Sequence, residues 1–366
     1  MNAMRAVGRP RPAVEHMPAY RPGKAAAQAE AEHGITNAIK LASNENPLPP
    51  IDSIVAAVTA AAFGANRYAD HRATAVRERL SSWLDVGVEH ITVGSGSVGL
   101  LQQLFLTYVD PGDEVVYPWR SFEVYPVYTQ LMAGVGVATP LNADHAFDLA
   151  AVAAAVTDRT KLVLLATPNN PTGTALSTTD VATLLDGISP ATIVVIDEAY
   201  REFVDPSLGD PVRELVPRFR NVVVTRTFSK AQGMAGIRVG YAIGDPDVIA
   251  SIDKTLFPFA VSALAQAAAI AAIDAEAEIG ERVANILSER ARVIAELGNA
   301  GWKLPDAQAN FVYLPIGERA DDIYLGLEQR GVVTRPFPNE GIRVTISTPE
   351  ENNRFLDTLA EVMASS

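Results

Sequence analysis

Three short polar segments, each directly after a run rich in β-branched residues, constrain the fold of this 366-residue chain more than any other feature. The runs are residues 161–166, 192–196 and 221–226, and the polar segments after them are residues 167–173, 197–200 and 227–230. Similar runs occur at 91–93 and 114–117, and helical stretches at 98–108 and 178–187 lie among them. Apolar runs with little alternation are typical of parallel strands buried on both faces. This order predicts an α/β fold with a mainly parallel sheet between helices.

The composition fits a soluble globular protein and disfavours several classes of function. Thirty Lys and Arg residues against 43 Asp and Glu residues give a formal net charge of −13, which argues against nucleic acid or an anionic membrane as the main partner. The absence of cysteine excludes disulfides, thiolate metal sites and cysteine nucleophiles, and fits a reducing cytoplasm. The five histidines have no H-x-x-x-H spacing, so no metal site is predicted. The most apolar stretch, residues 263–273, is shorter than the roughly 20 residues that cross a bilayer, and we expect a buried helix there.

The polar segments hold side chains that suit the chemistry of pyridoxal phosphate (PLP). In open parallel sheets, ligands bind beyond the carboxyl ends of the strands. Asp197 can keep a pyridinium nitrogen protonated, and Asn170 and Tyr200 can donate hydrogen bonds to the phenolic oxygen of the ring. Lys230 is the candidate amine for a Schiff base with the cofactor aldehyde and for proton transfer at the substrate. Each segment alone also fits a plain turn, a helix cap or a surface charge, but three together in this order make coincidence a poor explanation.

Two further segments are candidates for a phosphate site. The Gly-Ser-Gly-Ser sequence at 94–97 joins a predicted strand to a predicted helix, where free backbone N–H groups favour an anion, so Gly96 and Ser97 are candidates. Ser229 and Arg238 flank the loop after Lys230, and a planar guanidinium suits a phosphate group. A Gly-Ser turn or a single arginine is also common without any ligand, so the prediction depends on their combination.

These segments, with others near both ends of the chain, resemble the fold-type I, class II aminotransferases, and most of all the histidinol-phosphate aminotransferase family. The matching segments are residues 41–47, 66–68, 166–173, 196–200, 227–241 and 341–344. The resemblance covers nearly the whole chain and implies a PLP enzyme that moves an amino group from an amino acid to a 2-oxo acid. It also implies a large PLP-binding domain at about 45–260, and a smaller α+β domain that combines residues 1–44 with 261–366.

The resemblance implies roles for residues that the strand-end argument does not reach. Phe122 matches the aromatic residue that stacks on the cofactor ring, and Arg343 matches the arginine that binds the substrate α-carboxylate. Tyr68 matches a tyrosine that reaches the cofactor phosphate of the neighbouring subunit, so a homodimer with shared active sites is expected. Tyr20 and Arg335 match positions near the substrate side chain, and the latter helps to hold the substrate phosphate in histidinol-phosphate aminotransferases.

Departures from the histidinol-phosphate pattern bear on the substrate. Residues 96–99 read Gly-Ser-Val-Gly where an Ala-Asp-Glu type of sequence is common, and Phe122 stands where tyrosine is common. Both features look like the branch called aromatic or phenylalanine aminotransferases. Arg335 suits a substrate phosphate, or equally the second carboxylate of glutamate and 2-oxoglutarate. We expect transamination of an aromatic amino acid with 2-oxoglutarate as acceptor, and histidinol phosphate is the alternative donor.

Other classes of protein share some of these features. A related PLP decarboxylase would keep Lys230 and Asp197 and stays a less favoured alternative, distinguished by whether 2-oxoglutarate returns the aminated cofactor to its aldehyde form. A transcription regulator with an aminotransferase-like domain would need a DNA-binding domain before residue 41, where residues 1–40 are mostly irregular in pattern. A dinucleotide-binding dehydrogenase would need the full G-x-G-x-x-G spacing, which residues 94–99 lack.

Overall fold

The structure, a computed structural model, describes residues 8–15, 17 and 23–365 of the chain. The strands in this part of the chain are β1 (Ile39–Lys40), β2 (Ile91–Gly94), β3 (Glu114–Trp119), β4 (Val135–Pro140), β5 (Thr160–Ala166), β6 (Ile193–Asp197), β7 (Val222–Thr227), β8 (Gly240–Gly244), β9 (Phe311–Leu314), β10 (Val332–Val333), β11 (Arg335–Phe337) and β12 (Gly341–Thr345).

The α-helices in the same residues are α1 (Pro12–Glu15), α2 (Ala26–His33), α3 (Asp52–Ala62), α4 (Thr74–Leu84), α5 (Gly96–Tyr108), α6 (Val124–Leu131), α7 (Leu149–Ala155), α8 (Thr178–Asp186), α9 (Pro211–Glu214), α10 (Pro246–Asp253), α11 (Ala263–Asp274), α12 (Glu276–Asn299), α13 (Ala320–Gln329) and α14 (Pro349–Ser365). Short 3₁₀ turns lie at Val88–His90, Arg201–Phe203, Pro206–Leu208 and Gly317–Arg319.

A seven-stranded sheet with the order β2-β8-β7-β6-β5-β3-β4 forms the centre of the described chain. Strand β8 is antiparallel to both of its neighbours, and the other strands run in one direction. The side chains of β6 and β7 are buried throughout, as expected for strands covered on both faces. The prediction of an α/β fold with a mainly parallel sheet is confirmed, whereas β4 and the antiparallel strand β8 were not predicted.

Strand register places the predicted polar segments side by side. Ala166, the last residue of β5, is the partner of Asp197, the last residue of β6, and Asp197 in turn is the partner of Thr225 in β7. Because these strands are parallel, the segments that follow them emerge at the same edge of the sheet.

Helix α11 is the alanine-rich helix predicted from residues 263–273. Ser262 caps it by accepting a hydrogen bond from the backbone N–H of Ala265, and four of its alanines are buried where it packs against α3 and α4. Small side chains allow the helix axes to approach closely. Among the described residues, no helix is both long enough and apolar enough to cross a membrane.

A smaller antiparallel sheet with the order β11-β12-β9 lies in the C-terminal third of the chain. In this sheet Arg335 and Arg343 are directly opposite partners. Strands β1 and β10 form a parallel pair that joins the N-terminal segment to the C-terminal region. This pairing is compatible with the predicted small domain, but the domain boundaries at 44–45 and 260–261 stay a prediction.

Candidate active site

A pocket lies at the edge of the central sheet where β5, β6 and β7 end. Most of the residues predicted from the sequence line it, and these are Ser97, Phe122, Asn170, Asp197, Tyr200, Ser229, Lys230, Arg238, Arg335 and Arg343. They come from positions spread over most of the chain, and the parallel strands bring the central ones together. Gly96 lies beside the pocket wall in contact with Arg238.

Lys230 has the chemical character of a reactive amine. Its Nζ lies 5.6 Å from the centre of the Tyr200 ring and donates a hydrogen bond to the backbone oxygen of Ser43 at 3.1 Å. Loss of solvent, followed by the positive charges of Arg343 and Arg238, lowers the pKa of Lys230 to about 7. A large fraction of this amine is therefore neutral, and nucleophilic, near physiological pH.

Asp197 is a buried carboxylate that is held by two hydroxyl groups. Its two oxygens accept hydrogen bonds from Tyr125 Oη and Thr225 Oγ1, each at 3.0 Å. Burial raises the pKa of Asp197 to about 6, although both hydrogen bonds oppose that shift. A buried anion of this kind gains most from a cation placed beside it, and a protonated ring nitrogen is such a cation.

Asn170, Tyr200 and Arg343 line the same pocket as the phosphate candidates. Arg343 donates hydrogen bonds to Asn170 Oδ1 and to the backbone oxygen of Ala42. The hydroxyl of Tyr200 accepts a hydrogen bond from Asn44 Nδ2 at 2.9 Å. These contacts fix the guanidinium and the phenol at the pocket wall, where a carboxylate or another oxygen of a ligand could meet them.

The candidate phosphate site is formed by the start of α5 and the loop after β7. Gly96 has φ +75°, a conformation that favours glycine, and a Cβ atom there would lie 2.5 Å from Arg238 Nη2, so a larger residue would displace this guanidinium. Arg238 Nη1 donates to Ser229 Oγ at 3.2 Å. At Gly240 a Cβ atom would lie 2.7 Å from the backbone nitrogen of Ser97, so this glycine lets β8 hold the helix start against the sheet. Backbone N–H groups, hydroxyls and a guanidinium together could hold a phosphate group.

Another part of the pocket wall combines aromatic rings with an ion pair. Phe122 and Phe337 both line the cavity, and Phe122 also contacts the ring of Tyr125 edge to face at 5.7 Å between centroids. Arg335 Nη2 lies 2.6 Å from Glu123 Oε2, and both residues line the same cavity. The predicted substrate-side arginine therefore has a carboxylate partner within the protein.

Most of the chain matches a known protein family. Residues 36–359 match the family described as Aminotransferase class I and II. The chain belongs to this aminotransferase family.

Relatives and solved structures similar to the aminotransferase agree with this assignment. It is 47% identical over 347 residues to the aromatic amino acid aminotransferase of Thermobifida fusca, covering 94% of this chain and 95% of that one. It is 46% identical over 344 residues to the aromatic amino acid aminotransferase of Streptomyces avermitilis, covering 94% of each. The crystal structure of histidinol-phosphate aminotransferase from Sinorhizobium meliloti, in complex with PLP, has a TM-score of 0.90 and 29% identity, covering 99% of this chain and 100% of that one.

The fold is therefore that of the fold-type I aminotransferases, and PLP is the cofactor of this aminotransferase. The residues in the pocket fit the group. The cavity holds an amine of lowered pKa, as a cofactor aldehyde requires, and a buried carboxylate, as a ring nitrogen requires. Beside these lies an anion site next to Gly96, as a phosphate requires. The predicted enzyme class and cofactor are confirmed.

Besides Gly96, which lies beside the pocket wall, two predicted residues of the aminotransferase are not among those that line the pocket. Tyr68 does not line it, since its side chain is 84% exposed and stacks on Phe259 with 4.5 Å between ring centroids. Tyr20 lies outside the residues that the structure describes, so its predicted position near the substrate stays a prediction.

Sequence reasoning missed several residues that complete the site. Tyr125 and Thr225 hold Asp197, Asn44 holds Tyr200, and Glu123 holds Arg335. Thr225 could have been found, because it points to the same side of β7 as Thr227 two residues later. The partners of the other side chains are far away in sequence and carry no local signal.

A separate polar cluster, outside the pocket lining, consists of Glu32, His33 and Glu328. His33 Nε2 lies 3.1 Å from Glu328 Oε1, and the ammonium group of Lys24 contacts both carboxylates. Because Lys24 already compensates these acidic groups, we interpret the cluster as an ion-pair network that anchors α2 to α13.

Proposed function

We propose that this aminotransferase transfers the amino group of an aromatic amino acid to 2-oxoglutarate. The observation that carries the proposal is the near-full-length similarity to relatives named aromatic amino acid aminotransferases. The pocket supports it chemically, because Phe337, which lines it, offers an apolar ring to a substrate side chain. The expectation of a cytoplasmic location, drawn from the sequence, stays a prediction.

Within the pocket, Lys230 is the proposed catalytic residue. Bound PLP supplies an electron-withdrawing ring to which the substrate amino group is joined. Lys230 would hold the cofactor aldehyde before the substrate arrives, and would then take the proton from the substrate Cα and return it at the cofactor carbon. A pKa of about 7 suits both transfers, because the amine can accept and release a proton at neutral pH.

The other proposed roles concern binding and orientation. Asp197 would keep the ring nitrogen protonated, Asn170 and Tyr200 would face the phenolic oxygen, and Arg343 would bind the substrate α-carboxylate. Phe122 would stack on the ring. The residues proposed to hold the cofactor phosphate are Gly96, Ser97, Ser229 and Arg238.

We also propose that two copies of the chain share their active sites. Tyr68 and Phe257 are 84% and 74% exposed, and aromatic surface of this kind is expected to be covered by a partner. In the proposed homodimer Tyr68 reaches the cofactor phosphate of the other subunit. A mixture of Lys230→Ala and Tyr68→Ala chains should then recover activity above that of either variant, because each hybrid dimer holds one intact site. Activity equal to the average of the two variants would contradict shared sites.

Product analysis tests the proposed reaction. Purified holoenzyme with phenylalanine and 2-oxoglutarate should give phenylpyruvate and glutamate in equal amounts. Phenylalanine consumption without glutamate formation would exclude 2-oxoglutarate as the acceptor.

Histidinol phosphate is the second candidate donor, and two observations favour it. The Sinorhizobium meliloti enzyme with a closely similar fold is a histidinol-phosphate aminotransferase, and Arg335 lines the pocket of the present enzyme. The same product assay with histidinol phosphate as donor separates the two proposals, since glutamate forms faster with the preferred donor.

A further inference from the structure

The ion pair between Glu123 and Arg335 has a consequence for substrate choice. Both side chains line the pocket, with 2.6 Å between Arg335 Nη2 and Glu123 Oε2. The Arg335 side chain is 16% exposed and that of Glu123 is 37% exposed. The pair therefore lies at the pocket wall, where a ligand can reach it and where solvent screens it only in part.

The cationic side chains that line the pocket show why the ion pair between Glu123 and Arg335 matters for the substrate. Among the described residues, the cationic side chains that line the pocket are Lys230, Arg238, Arg335 and Arg343. Under the proposed function, Lys230 engages the cofactor aldehyde and Arg238 engages the cofactor phosphate. Arg343 engages the substrate α-carboxylate. No part of an aromatic substrate engages Arg335, and the protein pairs this arginine with the carboxylate of Glu123.

Strand register places Arg335 where a second anion of a substrate would lie. Arg335 in β11 is directly opposite Arg343 in β12, so their side chains project from neighbouring positions on the same face of the sheet. A ligand whose first carboxylate meets Arg343 can bring a second anion to Arg335 only along this face. Such an anion has to compete with Glu123 for the same guanidinium.

The backbone position of Glu123 does not depend on Arg335. It lies directly after Phe122 and immediately before α6, where a negative charge is favourable at the helix start. The following residue, Val124, is buried and anchors the helix. The backbone of Glu123 is thus set by the fold and its carboxylate is held by Arg335, so removing the charge should not rearrange the backbone around the pocket.

We propose that Glu123 is a specificity-determining residue, whose carboxylate neutralises Arg335 and so favours ligands with an uncharged side chain over ligands with a second anion. The inference rests on the proposed function, because it assumes that Arg343 binds the α-carboxylate. An aromatic side chain leaves the ion pair intact, whereas a distal carboxylate or phosphate has to displace Glu123. The proposed acceptor, 2-oxoglutarate, also has to displace Glu123, so the penalty lowers the affinity for this dicarboxylate without excluding it. Specificity among amino donors then comes from a penalty on donors with a second anion as well as from contacts with the preferred donor.

Binding of two unreactive acids to the holoenzyme tests this proposal without turnover. Calorimetry would give the affinities of 3-phenylpropionate, which has an aromatic end, and of glutarate, which has a second carboxylate. In Glu123→Gln the ratio of glutarate affinity to 3-phenylpropionate affinity should rise about tenfold, equal to about 1.4 kcal/mol. An unchanged or lower ratio would overturn the proposal.

Two further variants decide whether the effect passes through Arg335. In an Arg335→Gln background, Glu123→Gln should no longer change the ratio, because the guanidinium that it releases is absent. Glu340→Gln is the matched control, since Glu340 is 36% exposed and pairs with Arg120 outside the pocket lining. A tenfold rise in the ratio of glutarate affinity to 3-phenylpropionate affinity would overturn the proposal if it occurred in Glu340→Gln. The same rise caused by Glu123→Gln in the Arg335→Gln background would also overturn it. If the wild-type enzyme prefers histidinol phosphate to phenylalanine, the proposed function fails, but the glutarate ratio still decides the role of Glu123.

Discussion

The two ends of the pocket are built in different ways. At the cofactor end, Asp197 is the last residue of β6, and Lys230 lies three residues after the end of the neighbouring parallel strand β7. The buried carboxylate of Asp197 accepts hydrogen bonds from two hydroxyl groups. At the substrate end, Arg335 and Glu123 are 212 residues apart in the chain, are partly exposed, and hold each other by one ion pair. We therefore propose that the cofactor end is preorganised for a single chemistry, and that the substrate preference of the other end can be altered by changing one side chain.

The largest expected effect comes from removing the amine at the cofactor end. Lys230→Ala should lower turnover by about 10⁴-fold or more, because the proposed cofactor attachment and proton transfer both depend on it. Steady-state transamination and circular dichroism measure activity and folding. Lys303→Ala, at an exposed lysine, is the control and should keep wild-type activity. Transamination retained in the Lys230 variant would disprove its role.

A smaller loss is expected at the carboxylate of the cofactor end. Asp197→Asn keeps the acceptor for Tyr125 or Thr225 but removes the charge that would stabilise a protonated ring nitrogen. We expect kcat to fall by about 100- to 1000-fold. The fall should be similar for every amino donor, because this residue does not meet the substrate side chain. A loss confined to one donor would contradict the separation of the two ends.

At the substrate end the expected effect is selective. Arg335→Ala should lower kcat/KM by about tenfold for donors with a distal phosphate or carboxylate, because it removes a charged hydrogen-bond donor. Phenylalanine should be affected by less than about threefold. Parallel assays with glutamate, histidinol phosphate and phenylalanine measure this difference. Equal losses for all three donors would remove Arg335 from substrate selection.

The smallest expected effect is a shift in a pH midpoint. The rate at which PLP attaches covalently to the apoenzyme should be low below pH 7 and should rise as pH passes about 7, because only the neutral amine of Lys230 is nucleophilic. Arg343→Gln should move the midpoint to higher pH, since the charge of Arg343 helps to lower the pKa of Lys230. Arg335→Gln should leave it in place. A wild-type midpoint near the usual lysine range, about 10.4, would contradict the environment described for Lys230.

The difference between the cofactor end and the substrate end also explains how much of the site could be predicted from the sequence. Lys230, Asp197 and Asn170 could be predicted because each stands in a short segment after a strand, and parallel strands end at one edge. The start of α5 could be predicted because a strand, a Gly-Ser turn and a helix follow one another directly. Residues implied by the family resemblance, such as Arg343 and Phe122, also line the pocket.

The site residues that could not be predicted meet their partners through contacts between distant parts of the chain. Tyr125 meets Asp197 across 72 residues, and Asn44 meets Tyr200 across 156, without any pattern near either residue that predicts the pair. The partner of Arg335 could not be predicted for the same reason. Strand β8 was missed because Gly240–Gly244 is short, begins and ends with glycine, and shows little β-branched content.

The most direct test of the proposed substrate is a single half-reaction followed by absorbance. Holoenzyme without 2-oxoglutarate would be mixed with phenylalanine or with histidinol phosphate, and conversion of the cofactor to its aminated form would be timed. The account predicts fast conversion by phenylalanine and slow conversion by histidinol phosphate. Faster conversion by histidinol phosphate would contradict the assignment to aromatic amino acids.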